Sequence, residues 1–131
     1  MFLRFVVEAV DEDSLVRQGV VQAAHGLKDD LAVLEADRQV LDRALRWLDD
    51  HLPLPTRFNR TTSKGYYRRR TVGISWLKDT ARDHLGRMRE LSQVLERYGQ
   101  HVSVLKDARP GYVVYEDEFQ VVAEPFADTS R

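Results

Sequence analysis

The chain has no cysteine, only four prolines and seven glycines, and no long apolar run. The absence of cysteine excludes disulfides and thiolate chemistry and removes the strongest zinc-binding signatures. No apolar run approaches the ~20 residues that a membrane-spanning helix needs. The N-terminal stretch MFLRFVVEAVDED also lacks a basic leader and a small-residue cleavage site. These absences predict a cytoplasmic protein that does not enter a membrane.

The composition is that of an ordinary globular protein, with 43% hydrophobic and 31% charged residues in a chain of 131. This length suits one domain with one hydrophobic core. We therefore predict a single α+β domain over residues 1–126. The last residues, 127–131, are expected to form a frayed C-terminal tail.

Apolar periodicity divides the domain into strands and helices. Alternating residues predict a strand at 2–10 and three short strands at 101–106, 111–116 and 119–124. Helical spacing predicts three helices between them, the third of which is capped by Ser75. The order β-α-α-α-β-β-β predicts a four-stranded, mostly antiparallel sheet with the helices packed on one face. Apolar residues left on the other face predict that a loop or a partner covers it.

One part of the chain contains no acidic residues. Residues 51–78 contain seven Lys or Arg and no Asp or Glu, whereas the other 103 residues hold 13 basic and 21 acidic side chains. Within that part, RFNRTTSKGYYRRR (57–70, hereafter the basic segment) combines six basic residues with three aromatic ones. Prolines end the preceding helix and the segment has no periodicity, so we predict a basic loop at 53–74.

The basic segment is the main candidate for a site. Lys and Arg neutralise phosphates and aromatic rings stack on bases, while the same charges also suit an acidic protein surface. The alternative is a solvated loop whose arginines pair with the chain's own acids, such as Asp49, Asp50 or 116–118. The candidate partner- or phosphate-binding residues are Arg57, Arg60, Lys64, Tyr66, Tyr67, Arg68, Arg69 and Arg70.

Other candidate chemistry is weaker. The acidic run 116–118 could bind a divalent metal, but a solubilising turn is the preferred interpretation. Asp79 and Asp83 are expected to share a helix face and to form local ion pairs. His84 is interpreted as a hydrogen-bonded structural histidine rather than a general base. We predict no catalytic residue, no metal site and no cofactor.

Three functions follow from these observations. The leading hypothesis is a small non-enzymatic binding or accessory module that contacts a protein partner, or a second copy of itself, through the basic segment. The alternative is nucleic-acid binding through the same residues. A second alternative is a small enzyme acting on a phosphorylated or nucleic-acid substrate, which would require His84 and the loop arginines to meet in one pocket.

Overall fold

A computed structural model of the protein describes residues 1–12, 14–54 and 73–131. Three helices and six strands occur in these ranges. In chain order they are β1 (Phe2–Val10), β2 (Arg17–Gly19), α1 (Val20–Lys28), α2 (Glu35–His51), β3 (Ile74–Lys78), α3 (Arg82–Arg97), β4 (Val102–Asp107), β5 (Tyr112–Glu116) and β6 (Gln120–Glu124). None of the helices in the described part of the chain is long and apolar enough to cross a membrane.

The α+β class is confirmed, but the prediction of a four-stranded sheet is wrong. All six strands join one antiparallel sheet, because β2 and β3 add to the four strands that the sequence predicted. Ser75 lies inside β3 and does not cap a helix, and α3 begins at Arg82. The physical reason is burial on both faces of β3: Trp76 and Leu77 point to opposite sides of the sheet, and each is almost fully buried.

Strand β1 pairs with three other strands, and its two edges are paired differently. Along one edge, β4 pairs with six consecutive residues of β1, from Phe2 to Val7. Along the other edge, β3 pairs only with Phe2 and Leu3, and β2 pairs at Val6 and Val10. β2 and β3 therefore separate beside Arg4 and Phe5. The sheet continues from β3 through β6 to β5.

The main hydrophobic core lies between the three helices and one face of the sheet. Phe5 and Val7 of β1 and Leu77 of β3 form its sheet side. Helical spacing brings apolar side chains of all three helices to this layer, as the amphipathic pattern predicts. Its helical members are Val20, Ala23, Ala24, Leu27, Leu41, Ala44, Leu45, Leu48, Leu85, Met88, Leu91, Val94 and Leu95.

A second, smaller hydrophobic cluster contains strand residues outside that core. It consists of Val16, Ile74, Trp76 and Val121, with Phe2 and Leu105 packed against it. The C-terminal residues 127–131, for which fraying is predicted, include Thr129, which is 7% exposed. The carbonyl oxygen of Arg131 accepts a hydrogen bond from Arg17 Nε at 2.8 Å.

Two glycines define the ends of elements. Gly99 follows the last turn of α3 with a φ of 83°, and Gln100 N donates to Leu95 O at 3.0 Å. This is a left-handed helix end of the kind that glycine favours. Gly111 precedes β5, and a Cβ there would lie 2.1 Å from the carbonyl oxygen of Glu124. Only glycine permits this close approach of β5 to the end of β6.

Candidate functional site

The predicted site residues all fall between Leu54 and Gly73, outside the described part of the chain. Arg57, Arg60, Lys64, Tyr66, Tyr67, Arg68, Arg69 and Arg70 therefore stay predictions. The two described residues that flank this segment are informative, because Leu54 and Gly73 line the same cavity.

That cavity, hereafter the fork cavity, opens where β2 and β3 separate beside β1. It has a volume of about 630 Å³, within the range of about 300–1,000 Å³ that is typical of small-molecule sites. Its apolar lining comes from the sheet and from the core side of the helices. These residues include Leu3, Phe5, Val16, Val20, Ile74, Leu77, Met88 and Val122.

Arg4 is the most unusual side chain in the fork cavity. It is only 9% exposed, and its Nη2 donates a hydrogen bond to the carbonyl oxygen of Arg17. Its Nη1 is buried and has no hydrogen-bond partner among the described residues. None of the ion pairs between described residues involves Arg4. A buried cation that lacks a carboxylate partner is costly and uncommon in proteins.

The electrostatics of Arg4 follow from this environment. Burial first, and then the neighbouring positive charge of Arg17, lower the pKa of the Arg4 guanidinium from 12.5 to about 10. Both causes disfavour the charged form. A negative charge placed beside the guanidinium would have the opposite effect, because it favours the protonated state.

The N-terminus of α1 lies at the same cavity. Gly19 is the N-cap residue, and no side chain caps the helix by a hydrogen bond. The first turn of α1 contains no acidic residue. Gly19, Val20, Val21 and Gln22 all line the fork cavity. The first amide N–H groups of a helix have no intrahelical acceptors, so this end attracts negative charge.

A hydrogen-bonded network around Gln120 also lines the fork cavity. Gln120 is 2% exposed, and its Oε1 accepts a hydrogen bond from Ser75 Oγ at 2.7 Å. Its Nε2 donates to Pro53 O at 2.7 Å and to Asp117 Oδ2 at 3.0 Å. This glutamine therefore connects the end of α2, strand β3 and the β5–β6 turn. The sequence pattern identified neither Gln120 nor Ser75 as part of such a network.

Asp117 organises the β5–β6 turn. Its Oδ1 accepts hydrogen bonds from Phe119 N and Gln120 N, and its Oδ2 accepts one from Tyr115 Oη at 2.9 Å. Desolvation favours a higher pKa for this carboxyl, but the hydrogen bonds outweigh it and hold the pKa below its usual value. Glu116 forms an ion pair with Lys78 at 2.6 Å. Within the described ranges, no group of three or more potential ligands is placed to hold a metal ion.

His84 lies deep inside the fold, where its ring makes both packing contacts and a hydrogen bond. It is 3% exposed, and its ring packs against Trp47 and Phe119. Its Nε2 lies 2.8 Å from the carbonyl oxygen of His51, which requires the Nε2–H tautomer for a hydrogen bond. His84 is not among the residues that line the fork cavity. Asp79 lies in the turn before α3, so it does not share a helix face with Asp83.

Sequence reasoning missed Arg4 as a candidate. The alternation of β1 correctly places it on the opposite face from Leu3 and Phe5, a face predicted to be partly apolar and covered by a loop or a partner, but Arg4 itself was not identified as a site residue. One observation in the sequence points to burial, namely that Arg4 lies between Phe2 and Val6 on the same strand face. Comparison of the chain with models of protein families, with curated proteins and with solved structures finds no match.

Proposed function

We propose that the protein is a small, cytoplasmic, non-enzymatic binding module that contacts an acidic surface of a partner protein through the basic segment. Residues 55–72 carry six basic side chains and no acid. The described residues hold 20 acidic and 14 basic side chains. Net positive charge is therefore confined to this segment, and the two described residues that flank it, Leu54 and Gly73, both line the fork cavity.

The observation that supports this proposal is that acidic residues of the chain's own β5–β6 turn already have partners. Residues 116–118 are the strongest candidates within the chain to neutralise the basic segment. Glu116, however, is already paired with Lys78, and the Asp117 carboxylate already accepts four hydrogen bonds. Two of the three acids of this turn thus already have partners among the described residues, and complementary potentials would favour association of the basic segment with an acidic surface of a partner.

A pair of matched charge reversals tests the proposal. One variant replaces Arg68, Arg69 and Arg70 with Glu. The control variant replaces three exposed helical arginines, Arg43, Arg82 and Arg89, with Glu, which changes the net charge equally. Fluorescence anisotropy with a labelled glutamate-rich peptide measures binding at low and high salt. We expect the first variant to lose at least about tenfold in affinity and the control to lose much less.

Two other outcomes would redirect the proposal. Equal losses in both variants would show that net charge alone attracts the peptide, and the basic segment would then not be a site. Labelled single- and double-stranded DNA and RNA provide the second comparison. Binding of duplex that falls with salt at a log–log slope near −5, as about six phosphate contacts require, would favour the nucleic-acid alternative.

The partner need not be a different protein, because the acidic remainder of a second copy has the required charge. Size-exclusion chromatography with light scattering at low and high salt tests self-association. A dimer that dissociates with salt and is lost in the Arg68–Arg70 variant would identify the partner as a second copy. The observations do not favour the enzyme hypothesis, because His84 is enclosed by Trp47 and Phe119.

A further inference from the structure

We propose that the fork cavity binds a small organic anion. The ligand's carboxylate or phosphate group contacts Arg4 and the N-terminus of α1, and its apolar body occupies the remainder of the cavity. This site is built entirely from described residues, of which Leu54 and Gly73 flank the basic segment. It involves no chemical step, so the inference concerns recognition only.

The first argument is the unmatched hydrogen-bonding capacity of Arg4. A guanidinium has five N–H donors and no acceptor, and its planar fork is suited to a carboxylate or a phosphate. Only one donor interaction of the Arg4 side chain is present among the described residues, to the neutral carbonyl of Arg17. Nη1 is buried without a partner there. An anion in the cavity beside the guanidinium would supply the missing negative charge.

The second argument is independent of Arg4 and comes from α1. This helix has nine residues, begins at Val20 and has neither a capping side chain nor an acid in its first turn. Helix N-termini of this kind bind anions through their free amide N–H groups and the helix dipole. Gly19 and the first residues of α1 line the same cavity as Arg4, so two separate elements of the lining favour negative charge.

The remaining lining restricts the ligand to a particular class. Most of the cavity wall is aliphatic or aromatic, which favours a ligand with a substantial apolar body. Asp11 also lines the cavity, and its Oδ2 accepts a hydrogen bond from Ser14 Oγ at 2.9 Å. The apolar share of the lining therefore favours a single anionic group on an apolar body over a polyanion, whose further charges would lose their hydration there.

Isothermal titration calorimetry with four probes separates the parts of this proposal. Hexanoate and hexyl phosphate carry the anionic group and an apolar chain, hexanol carries only the chain, and inorganic phosphate carries only the anion. We expect the full-length protein to bind at least one of the two amphiphilic anions at least about tenfold more tightly than hexanol and inorganic phosphate. The comparison between hexanoate and hexyl phosphate identifies the preferred anionic group.

Three variants locate the binding. Arg4→Met should reduce the affinity for the preferred anion by at least about tenfold, whereas Arg43→Met removes an exposed charge and should leave it unchanged. Gly19→Asp places a capping carboxylate at the N-terminus of α1, where the backbone φ of −69° and the available space accept a side chain. This variant should melt at a higher temperature and yet bind the anion more weakly, because its carboxylate occupies the same amide groups.

Amide resonances provide a direct readout of position. In ¹⁵N-labelled protein, the anion should shift the backbone amide signals of Val20, Val21 and Gln22 more than those at the N-terminus of α3. The proposal is overturned if neither amphiphilic anion binds, or if Arg4→Met binds as tightly as the original protein. It is also overturned if folded Gly19→Asp retains full affinity and the α1 amide signals do not move.

Discussion

Asp117 and Arg4 are two charged side chains with contrasting surroundings in the same small domain. The carboxylate of Asp117 accepts four hydrogen bonds, from Tyr115, Phe119 and Gln120. The guanidinium of Arg4 is more deeply buried, yet it makes one hydrogen bond to a neutral carbonyl and leaves Nη1 without a described partner. The first charge is satisfied by its own turn, and the second is not satisfied by the described fold.

This difference separates a structural charge from a candidate binding charge. The hydrogen bonds of Asp117 lower its pKa in spite of desolvation, so the fold favours its charged form. The surroundings of Arg4 lower its pKa as well, but for a cation this means that the fold disfavours the charged form. Removal of Asp117 should therefore destabilise the protein, whereas removal of Arg4 should not.

The largest expected effect is that of Asp117→Ala. This substitution leaves the Tyr115 hydroxyl and the amides of Phe119 and Gln120 without their acceptor. We expect the free energy of unfolding to fall by about 2–3 kcal/mol, measured by urea denaturation. Glu118→Ala, at an exposed position in the same turn, is the control and should change it by less than about 0.5 kcal/mol. Equal effects of the two substitutions would remove the distinction that we draw for Asp117.

A smaller effect on the free energy of unfolding is expected when the pH is lowered. Because the folded-state pKa of Asp117 lies below its ordinary value of 3.8, the unfolded chain binds the proton first as the pH falls. The stabilisation by Asp117 should therefore be complete well above pH 3.8 and decline as the pH falls through the folded-state pKa. Urea denaturation at a series of pH values should show the stability difference between the original protein and Asp117→Ala narrowing in acid. A difference that widens in acid would contradict the sign of this pKa shift.

The smallest expected effect on stability is that of Arg4→Met. A methionine of similar length fills the space of the Arg4 side chain and removes a buried charge that has no anionic partner among the described residues. The lost hydrogen bond to Arg17 O offsets part of this gain. In the absence of ligand, we expect the free energy of unfolding to stay equal or to rise by up to about 1 kcal/mol. A loss of more than about 2 kcal/mol would mean that Arg4 is a structural charge like Asp117.

The pattern of apolar and polar residues within a single segment was sufficient to predict the strands that show a clear alternation of their own. β1 was predicted with its observed bounds, and the last three strands were predicted to within a residue at each end. The start of α3 was predicted wrongly because the spacing of Leu77, Ala81 and Leu85 continues the helical period backwards into β3. Pairing with both β1 and β6 makes this segment a strand, and that pairing is not encoded in the local spacing.

The candidate site was less predictable for a related reason. Whether Arg4 is exposed depends on Arg17 and on the separation of β2 from β3, neither of which follows from the alternation of β1. The three-residue strand β2 is too short to produce a periodic pattern of its own. The sequence therefore identified the basic segment through its composition, whereas the fork cavity required the tertiary arrangement.

The pairing of β1 with β4 also determines the order in which the chain can complete its sheet. Phe2, near the beginning of the chain, pairs with Asp107, and the whole edge of β1 is paired only when β4 is in place. During synthesis, the hairpin of β1 and β2 has its residues available early, but the other edge of β1 stays unpaired until residues 102–107 have been made. Such distant pairing requires the closure of a long loop and slows folding. Strand β1 is made before the other five strands and yet is paired on both edges only after β4 is made, so its exposed edge is the point where a nascent chain most needs protection from association.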